Sequence, residues 1–282
     1  MKKFLWALLF IPVGTIAQKQ MHVTVRGGFS GYQGDLQSKR ITLDQSNFAF
    51  GLGLKYDLTS HWAVRTEFNY GKVEADDKKN EPILQLRNLS FQSKIVEGNL
   101  LIEYSLFDLS TRRVTPYFFG GLGVFHFNPY AYDTSGNKQF LKPLSTEGQG
   151  MIAYPNSKEY NLTQLAIPFG AGFRYKIADN VSLGYEIGFR KIFTDYLDDV
   201  RSTYVDQTLL LQERGPKAVE MAFRGGELKN STAVYPPEGE VRGGQEYKDW
   251  YYFHGITLTI GLNRNPSANG IKGDIRCPKP VL

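Results

Sequence analysis

The residues best suited to chemistry in this chain are four acids in one short segment, "TDYLDDVRSTYVD" (194–206). Asp195, Asp198, Asp199 and Asp206 supply carboxylates, the ligands that hard divalent cations prefer. The glycine that turns an EF-hand loop is missing, so the alternative is that these acids cap and hydrogen-bond an ordered loop. We expect the second role and no bound metal.

The four histidines of the chain offer no second site. His22, His61, His126 and His254 fall in four separate segments, and no pair of them has the spacing of a metal site. No serine pairs with a histidine and an acid as acyl transfer requires. The segment "GGLG" (120–123) lacks the remaining glycine and the helix of a dinucleotide-binding turn. We therefore predict neither catalysis nor a cofactor, and no small-molecule substrate.

The elements that carry these residues are predicted to be β-strands, because apolar and polar residues alternate with a period of two. Segment 88–105 changes phase near Ile95 and Val96, which indicates a β-bulge. Segment 115–127 is apolar on both faces, so its phase stays open. The eight alternating segments are 21–32, 48–58, 62–70, 88–105, 115–127, 164–176, 181–190 and 250–262.

The connections between these strands fall into two classes. Short turns lie at 57–60, 107–113 and 177–180, whereas the alternate connections are long. An even number of strands with short turns at one end and long loops at the other is the layout of an outer-membrane barrel. The sequence thus predicts an all-β fold: an eight-stranded antiparallel up-and-down transmembrane β-barrel with long extracellular loops and both termini in the periplasm. The long loops are 33–47, 71–87, 128–161 and 194–249.

The polar face of each strand is predicted to point into the lumen. The interior of an eight-stranded barrel is just wide enough for side chains, so Gly, Ala and a few long charged residues fit there better than stacks of aromatic residues. A Lys or Arg that faces lipid at mid-depth costs roughly 2–4 kcal/mol. Charges of both signs can pair across the lumen and fill it. The predicted lumenal charge network comprises Lys55, Arg65, Glu67, Glu97, Glu103, Arg174, Lys176, Glu186 and Arg190.

The chain begins with the pattern of a secretory signal peptide. Lys2 and Lys3 precede a mostly apolar stretch (4–16), and Thr15 and Ala17 are small residues at the spacing that signal peptidase accepts. Cleavage after Ala17 would lower the formal charge from +5 to +3, since two lysines and no acid would leave. The remaining basic residues are scattered, so we expect no nucleic-acid partner. We predict three regions, 1–17 as signal peptide, 18–263 as barrel and 264–282 as periplasmic tail.

Several strings in the chain, in order, resemble the PorG-like outer-membrane proteins of Bacteroidetes, accessory barrels of the type IX secretion and gliding machinery. The resemblance covers most of the chain after residue 17. The strings are "GYQGDL" (31–36), "RNLSFQ" (87–92), "LFD" (106–108), "TPYFFGGLGVFHFNP" (115–129), "TDYLDDVRSTYVD" (194–206) and "KGDIRCP" (272–278).

The resemblance implies a set of partners and a non-enzymatic role. A barrel of this family would anchor a periplasmic ring, built of a PorK-like lipoprotein and a PorN-like protein, to the outer membrane. Two other functions stay open. One is a surface receptor, adhesin or small-solute barrel that acts through its long outer loops, and the other is a lipid-modifying enzyme, for which no clustered catalytic set is visible in the sequence.

The tail after the last strand contains Cys277, the only cysteine of the chain. Prolines at 266, 278 and 280 disfavour regular structure there, and four basic residues outnumber one acid. In the oxidising periplasm the thiol has three fates: a free thiol, a ligand to a metal shared with a partner, or an intermolecular disulfide. We predict a disulfide to a partner protein. The predicted partner-binding residues are Lys272, Gly273, Asp274, Arg276, Cys277 and Pro278.

Overall fold

The protein is a closed, eight-stranded antiparallel β-barrel of up-and-down topology. The computed structural model describes residues 20–37, 39, 41–42, 44–244 and 248–262. Each barrel strand pairs with its neighbours in chain order, and the first strand (Met21–Gln33) pairs with the last (Trp250–Gly261) to close the ring. The barrel strands are β1 (Met21–Gln33), β2 (Asn47–Asp57), β3 (Trp62–Asp76), β4 (Ser90–Ser105), β5 (Val114–His126), β8 (Thr163–Ala178), β9 (Val181–Ile192) and β10 (Trp250–Gly261). The predicted eight-stranded, antiparallel up-and-down barrel is confirmed.

Short turns join the strands at one end of the barrel, called here the short-turn end. At the β2–β3 turn, the backbone N–H groups of Leu58 and Thr59 both donate to the carbonyl oxygen of Trp62, at 2.8 and 3.0 Å. At the β4–β5 turn, the Asp108 side chain accepts from the N–H of Ser110 at 2.7 Å. A short side chain that bonds the backbone two residues ahead is a local turn signal. These turns hold consecutive strands in antiparallel register.

The outward face of the barrel carries an apolar belt. On β4 the outward positions from Val96 to Tyr104 are apolar over nine residues, within the roughly 9–11 that a tilted strand needs to cross a bilayer. The belt side chains are exposed, as Leu100 at 57% and Leu122 at 68% illustrate. Aromatic residues lie at the lower edge of the belt, where Trp62 and Tyr104 are partners in register.

Above the belt, toward the opposite, long-loop end, the pattern of the two faces is inverted. Strand β3 continues through Asp76, and there its outward residues are Lys72 and Glu74 whereas its inward residues Val73 and Ala75 are buried. The inner wall is therefore apolar and the outer wall polar at this end. The alternation continues along the strand, but the apolar face is the outer one at the belt and the inner one near the long-loop end.

This inversion explains why the predicted bulge at Ile95 and Val96 is wrong. Strand β4 pairs with β3 in continuous register from Trp62↔Tyr104 to Asp76↔Ser90, with no extra residue. Ile95 points inward, is fully buried, and belongs to the core cluster that also contains Phe91. The apparent change of phase in the sequence is a change in which face is apolar.

The long loops fold over the barrel as an ordered cap, defined here as residues 34–46, 77–89, 127–162 and 193–249, excluding those that the structure does not describe. Its core is continuous with the upper lumen, because one buried cluster contains Phe125 and Phe253 of the barrel together with Leu141, Leu197 and Met221 of the loops. The cap elements are α1 (Pro82–Gln85), a hairpin of β6 (Tyr130–Tyr132) and β7 (Lys138–Phe140), α2 (Gln207–Arg214) and α3 (Pro216–Ala222).

Local sequence signals set where the two longer helices of the cap begin and where α2 ends. Asp206 caps α2, since its side chain accepts from the N–H groups of Thr208 and Leu209. Gly215, with φ of 85°, ends α2, and Pro216 then opens α3 at a position where its missing N–H costs nothing. None of the helices that the structure describes is long and apolar enough to cross a membrane.

Candidate functional site

The lumen of the barrel holds a network of buried ion pairs at the level of the apolar belt. Alternation on the strands turns these side chains inward, where each is less than a tenth exposed. Five cations and four carboxylates take part, so nearly every buried charge has a counter-charge within reach. The members are Arg26, Lys55, Arg65, Glu67, Glu97, Glu103, Arg174, Glu186 and Arg190.

Glu186 is the central acceptor of this network. Arg26 Nη1 donates to its Oε1 at 2.9 Å, and Arg65 Nη1 donates to its Oε2 at 2.7 Å. The phenol of Tyr117 donates to the same Oε2 at 2.9 Å. Arg26 and Arg65 also share Glu67, at 3.0 and 3.3 Å. The two guanidinium groups are thus held between two carboxylates on opposite walls of the barrel.

Two further carboxylates extend the network toward the ends of the barrel. Glu103 accepts from Arg174 Nη1 at 2.9 Å and lies 3.2 Å from Lys55 Nζ, near the short-turn end. Glu97, nearer the cap, binds Arg190 Nη2 at 2.9 Å and accepts from the phenol of Tyr251 at 2.5 Å. The network therefore occupies the lumen along its length.

Eight of the nine residues that the sequence suggests for a lumenal network meet in this way. Lys176 does not join them, because it lies at the short-turn end, is 27% exposed, and pairs with Asp179 at 3.0 Å. Sequence reasoning missed Arg26, although its position on the polar face of β1 was visible, because the alternation of that strand is weak.

Aromatic rings also occupy the lumen, contrary to the expectation that Gly and Ala would dominate it. The guanidinium of Arg65 lies 4.9 Å from the ring centroid of Phe119, and that of Arg174 lies 4.3 Å from the ring centroid of Tyr117. A guanidinium over an aromatic face gains electrostatic stabilisation. Inward glycines leave space for these rings, as at Gly172, where a Cβ would overlap the phenol of Tyr117. Small and large residues thus alternate to fill the interior.

We predict that replacing the central acceptor destabilises the barrel strongly. Glu186→Leu leaves the buried Arg26 and Arg65 short of a counter-charge, which costs on the order of 3–5 kcal/mol of unfolding free energy. The measurement is the urea midpoint of unfolding in lipid vesicles. The control is Leu54→Ile on the apolar belt, which is half exposed and conserves volume, so it costs less than about 1.5 kcal/mol. Equal midpoints for the two variants would mean that the faces are assigned wrongly.

The second site is a group of buried acids in the cap, beneath which Tyr32 of β1 projects. Asp198 and Asp249 are about 1% exposed, and Asp195 is 2% exposed. Asp198 also accepts from the N–H of Val200, and Asp249 from the N–H of Leu197, both at 2.9 Å. The backbone of the 194–206 loop is therefore folded around these carboxyl groups.

Tyr32 links two of these carboxyl groups through one hydroxyl. Its oxygen lies 2.5 Å from Asp198 Oδ2 and 3.0 Å from Asp249 Oδ1. A phenol has one proton to donate, so only one contact can be a hydrogen bond from tyrosine to carboxylate. The other contact needs a proton on the carboxyl group, which then donates to the phenol oxygen. At least one of the two acids is protonated in this arrangement. Gly34 permits the close approach, since a Cβ there would overlap both Tyr32 and Asp249.

The electrostatics of the cap agree with this geometry. Burial raises the pKa of Asp249 well above its usual range, and the neighbouring Asp198 raises it further. Burial likewise raises the pKa of Asp198, together with the charge of Asp35. Burial raises the pKa of Asp35 and of Asp195 to about 6. These acids therefore hold protons at pH values where exposed aspartates are ionised.

Other acids of the cap are paired with buried cations. Glu147 accepts from Arg242 Nη1 at 2.9 Å and from the N–H of Arg201 at 2.8 Å. Arg87 makes a bidentate pair with Asp77, both contacts at 2.8 Å. Buried, paired guanidinium groups of this kind fix the relative positions of the loops that carry them.

The four acids of the 194–206 segment each have a structural contact in the cap. Asp195 Oδ2 lies 3.6 Å from Lys248 Nζ. Besides the roles of Asp198 and Asp206 above, Asp199 accepts from Thr146 Oγ1 at 2.6 Å and from the phenol of Tyr160 at 2.7 Å. Among the residues that the structure describes, no group of three or more His, Cys, Asp or Glu side chains is arranged to hold a metal ion. Asp35, Asp249 and Tyr32 were missed by sequence reasoning because they come from distant segments.

We predict that the cap is more stable in mild acid than at alkaline pH. A folded pKa raised above the unfolded value means that the folded cap binds more protons, so its stability falls as pH rises through about 6. Hydrogen–deuterium exchange in 193–249, corrected for intrinsic rates, should therefore be faster at pH 8 than at pH 5.

A matched pair of variants tests the origin of this pH dependence. Asp249→Asn reproduces the protonated acid, because its amide can donate to the Tyr32 oxygen, so the pH dependence should become shallower. Asp44→Asn, at an exposed position of the cap, should leave it unchanged. A pH dependence that is identical in all three proteins would contradict the assignment.

The histidines lie apart from one another in the structure as in the sequence. His22 Nε2 lies 2.7 Å from Asp57 Oδ2, His61 Nδ1 lies 2.8 Å from the carbonyl oxygen of Ser105, and His126 Nδ1 lies 3.0 Å from Thr163 Oγ1. His254 Nδ1 lies 2.7 Å from the phenol oxygen of Tyr185. Within the described residues, none of these contacts joins a histidine to both a hydroxyl nucleophile and a carboxylate.

The tail residues singled out in the sequence, including Cys277, lie outside the described residues, as does the predicted signal peptide (1–17).

Residues 2–210 match a family described as a domain of unknown function, DUF6089. The chain belongs to this family. The match covers the predicted signal peptide, the barrel through β9 and the first part of the 193–249 loop, whereas β10 follows it. The DUF6089 description assigns no activity, partner or site, and no curated protein matches the sequence.

Solved structures of outer-membrane proteins are similar to this DUF6089 chain at low identity. A major outer membrane protein from Thermus thermophilus is 13% identical, with a TM-score of 0.42, covering 87% of this chain and 100% of that one. Ail of Yersinia pestis, in complex with sucrose octasulfate, is 10% identical, with a TM-score of 0.41 and the same coverages. OprG of Pseudomonas aeruginosa is 13% identical, with a TM-score of 0.40, covering 86% and 97%. Similarities with TM-scores this low do not support an inference of fold or function. Both are inferred from the residues of this chain.

Proposed function

We propose that this protein is a non-enzymatic outer-membrane anchor of the type IX secretion machinery, which holds the periplasmic ring complex at the membrane. The observation that carries the proposal is a barrel with an apolar outer belt and a lumen filled by ion pairs. Such a barrel can be embedded in lipid, and its lumen is crossed by ion pairs among the described residues.

The distribution of charge supports insertion in a membrane. The apolar belt presents Leu, Ile, Phe and Tyr outward, while nine charged side chains at the same level point inward. Each lysine or arginine on the lipid side would cost roughly 2–4 kcal/mol at mid-depth. A soluble barrel with this surface would expose an apolar patch far larger than monomeric proteins tolerate. An outer-membrane location satisfies both constraints.

The filled lumen argues for anchoring rather than transport. Glu186, Glu103 and Glu97 cross-link the walls at three levels, and the cap lies over the long-loop end. The surfaces left for interaction are the cap and the short-turn end. In an outer-membrane barrel the short-turn end faces the periplasm, so partners there would meet the turns and the tail after β10.

The identity of the partners is supported by the resemblance to PorG-like proteins. Three of the strings that carry it, 31–36, 87–92 and 194–206, come together in the cap. Arg87 Nη2 donates to the carbonyl oxygen of Asp35 at 3.0 Å, and Tyr32 contacts Asp198. The shared strings thus belong to one packed unit. On the basis of the resemblance we propose a PorK-like lipoprotein and a PorN-like protein as ring partners.

A receptor or adhesin is the second candidate, and the ordered cap favours it. The 193–249 loop packs Val205, Leu210 and Ala218 in an apolar cluster with Met151 of the 127–162 loop, and it leaves Val234 and Val241 more than 70% exposed. An ordered surface with exposed apolar residues suits binding of an external ligand. This function would require the cap, whereas the anchor would require the short-turn end and the tail.

We predict outer-membrane insertion with the cap outside the cell. Trypsin added to intact cells should cleave after Lys229, which is exposed in a stretch of largely exposed residues, and should spare Arg242, which is 3% exposed. Unheated protein should migrate faster than boiled protein in gels, as folded barrels do. A protein found only in the soluble periplasmic fraction would contradict the membrane proposal.

We predict that the tail, and not the cap, is needed to capture the ring. Affinity purification after crosslinking of envelopes should recover the two ring proteins with wild type, and should lose them when 264–282 is deleted. Deletion of 226–241 in the cap is the control and should keep them. The reverse result would favour the receptor function.

We predict a covalent tether through Cys277. A non-reducing gel of envelopes trapped with a thiol blocker should show a band of higher mass that collapses on reduction and is absent in Cys277→Ser. If the wild-type protein runs only at the mass of the monomer, the disulfide is excluded. The anchor role would still be decided by the proteins that affinity purification recovers.

A further inference from the structure

The strongest feature left unexplained is a pair of lysines just above the apolar belt on the outer wall. Lys72 of β3 and Lys94 of β4 are direct partners in the strand register and point outward. Like charges directly opposite each other on one face of a sheet repel and destabilise it. Lys72 Nζ pairs with Glu74 at 2.7 Å, whereas Lys94 Nζ makes no ion pair among the described residues.

A third lysine, Lys138, lies on the hairpin that pairs with β4 near Lys94. The β6–β7 hairpin lies against β4, where Tyr130 is the partner of Gln92 and its phenol donates to Gln92 Oε1 at 2.9 Å. Gln92 is two residues from Lys94, on the same face of the strand. Lys138 Nζ lies 3.7 Å from the ring centroid of Tyr130 and 4.5 Å from that of Phe140. The two rings of the hairpin therefore hold this ammonium group.

The height of the three lysines relative to the belt limits what can bind there. Tyr70 and Val96, the outward pair two residues below Lys72 and Lys94, form the upper edge of the belt. Two residues of a strand span about 7 Å. A lysine side chain at that height places its ammonium among lipid headgroups while its methylene stem stays against apolar surface.

We propose that Lys72, Lys94 and Lys138 form a binding site for the phosphate of a lipid headgroup in the adjoining leaflet. Lys72 is paired with Glu74, whereas Lys94 and Lys138 make no ion pair among the described residues, so the patch has an excess of positive charge. A phosphate between the strands would offset the repulsion of Lys72 and Lys94, and lysine is a common phosphate ligand. The occupant is a phosphorylated lipid rather than free phosphate, because the site borders the acyl-chain region directly. This inference rests on the membrane location in the proposed function, and it is independent of the ring partners.

The test measures retention of a fluorescent diphosphoryl lipid A by the full, folded barrel in phosphatidylcholine nanodiscs. The first triple variant is Lys72→Gln/Lys94→Gln/Lys138→Gln. Its retention of the labelled lipid should be at least roughly tenfold lower than that of wild type, because each lysine near an anionic surface contributes to binding. The control triple variant Lys78→Gln/Lys158→Gln/Lys229→Gln removes the same charge from exposed positions of the cap and should retain it like wild type.

Three results would overturn the proposal. One is equal retention by wild type and the first triple variant, and another is an equal loss in both triple variants, which would reflect net charge alone. The third is full displacement of the labelled lipid by millimolar inorganic phosphate, which would identify a site for the free anion. Heat-modifiable migration of every variant shows that the barrel is folded, so failure of this site is distinguishable from failure of membrane insertion.

Discussion

The constraint on which this structure depends is the narrowness of an eight-stranded barrel. Its lumen has room for side chains and little else, so each inward position must be filled and each inward charge must meet an opposite one. Glu186 between Arg26 and Arg65 meets both requirements at the centre. Gly172 and the ring of Tyr117 show the steric side of the same constraint. A filled, cross-linked interior then follows, and a barrel of this kind is suited to holding position in a membrane.

A second constraint is that the surroundings change along the barrel axis while the strand period does not. At the level of Leu100 and Leu122 the outside is apolar and the inside is charged. At the level of Val73 and Ile95 the inside is apolar and the outside carries Lys72 and Lys94. The loops complete that upper core with Leu141, Leu197 and Met221. The same strands thus carry an apolar outer surface around a charged lumen at one level and an apolar core inside a polar outer surface at the next.

The sequence was sufficient for the strands, their order and most of the lumenal charges, because alternation is a local signal. It failed where the apolar face of the strand changes from the outside to the inside of the barrel. Ile95 was assigned to a bulge for that reason. It also failed in the cap, where the important contacts join segments far apart. Tyr32 and Asp249 are separated by 217 residues, and no local pattern links them. The acids of 194–206 were recognised as loop-forming residues, yet their contacts, such as that of Asp198 with Tyr32, depend on residues from distant segments.

The position of β10 has a consequence for the order of assembly. This strand is the last of the barrel, and its Tyr251 and Phe253 belong to the same buried cluster as the loop residues. Until β10 pairs with both β9 and β1, the loops lack part of the floor on which they pack. Closing the ring and ordering the loops are therefore coupled. Ordered loops indicate that β10 has paired with both β9 and β1.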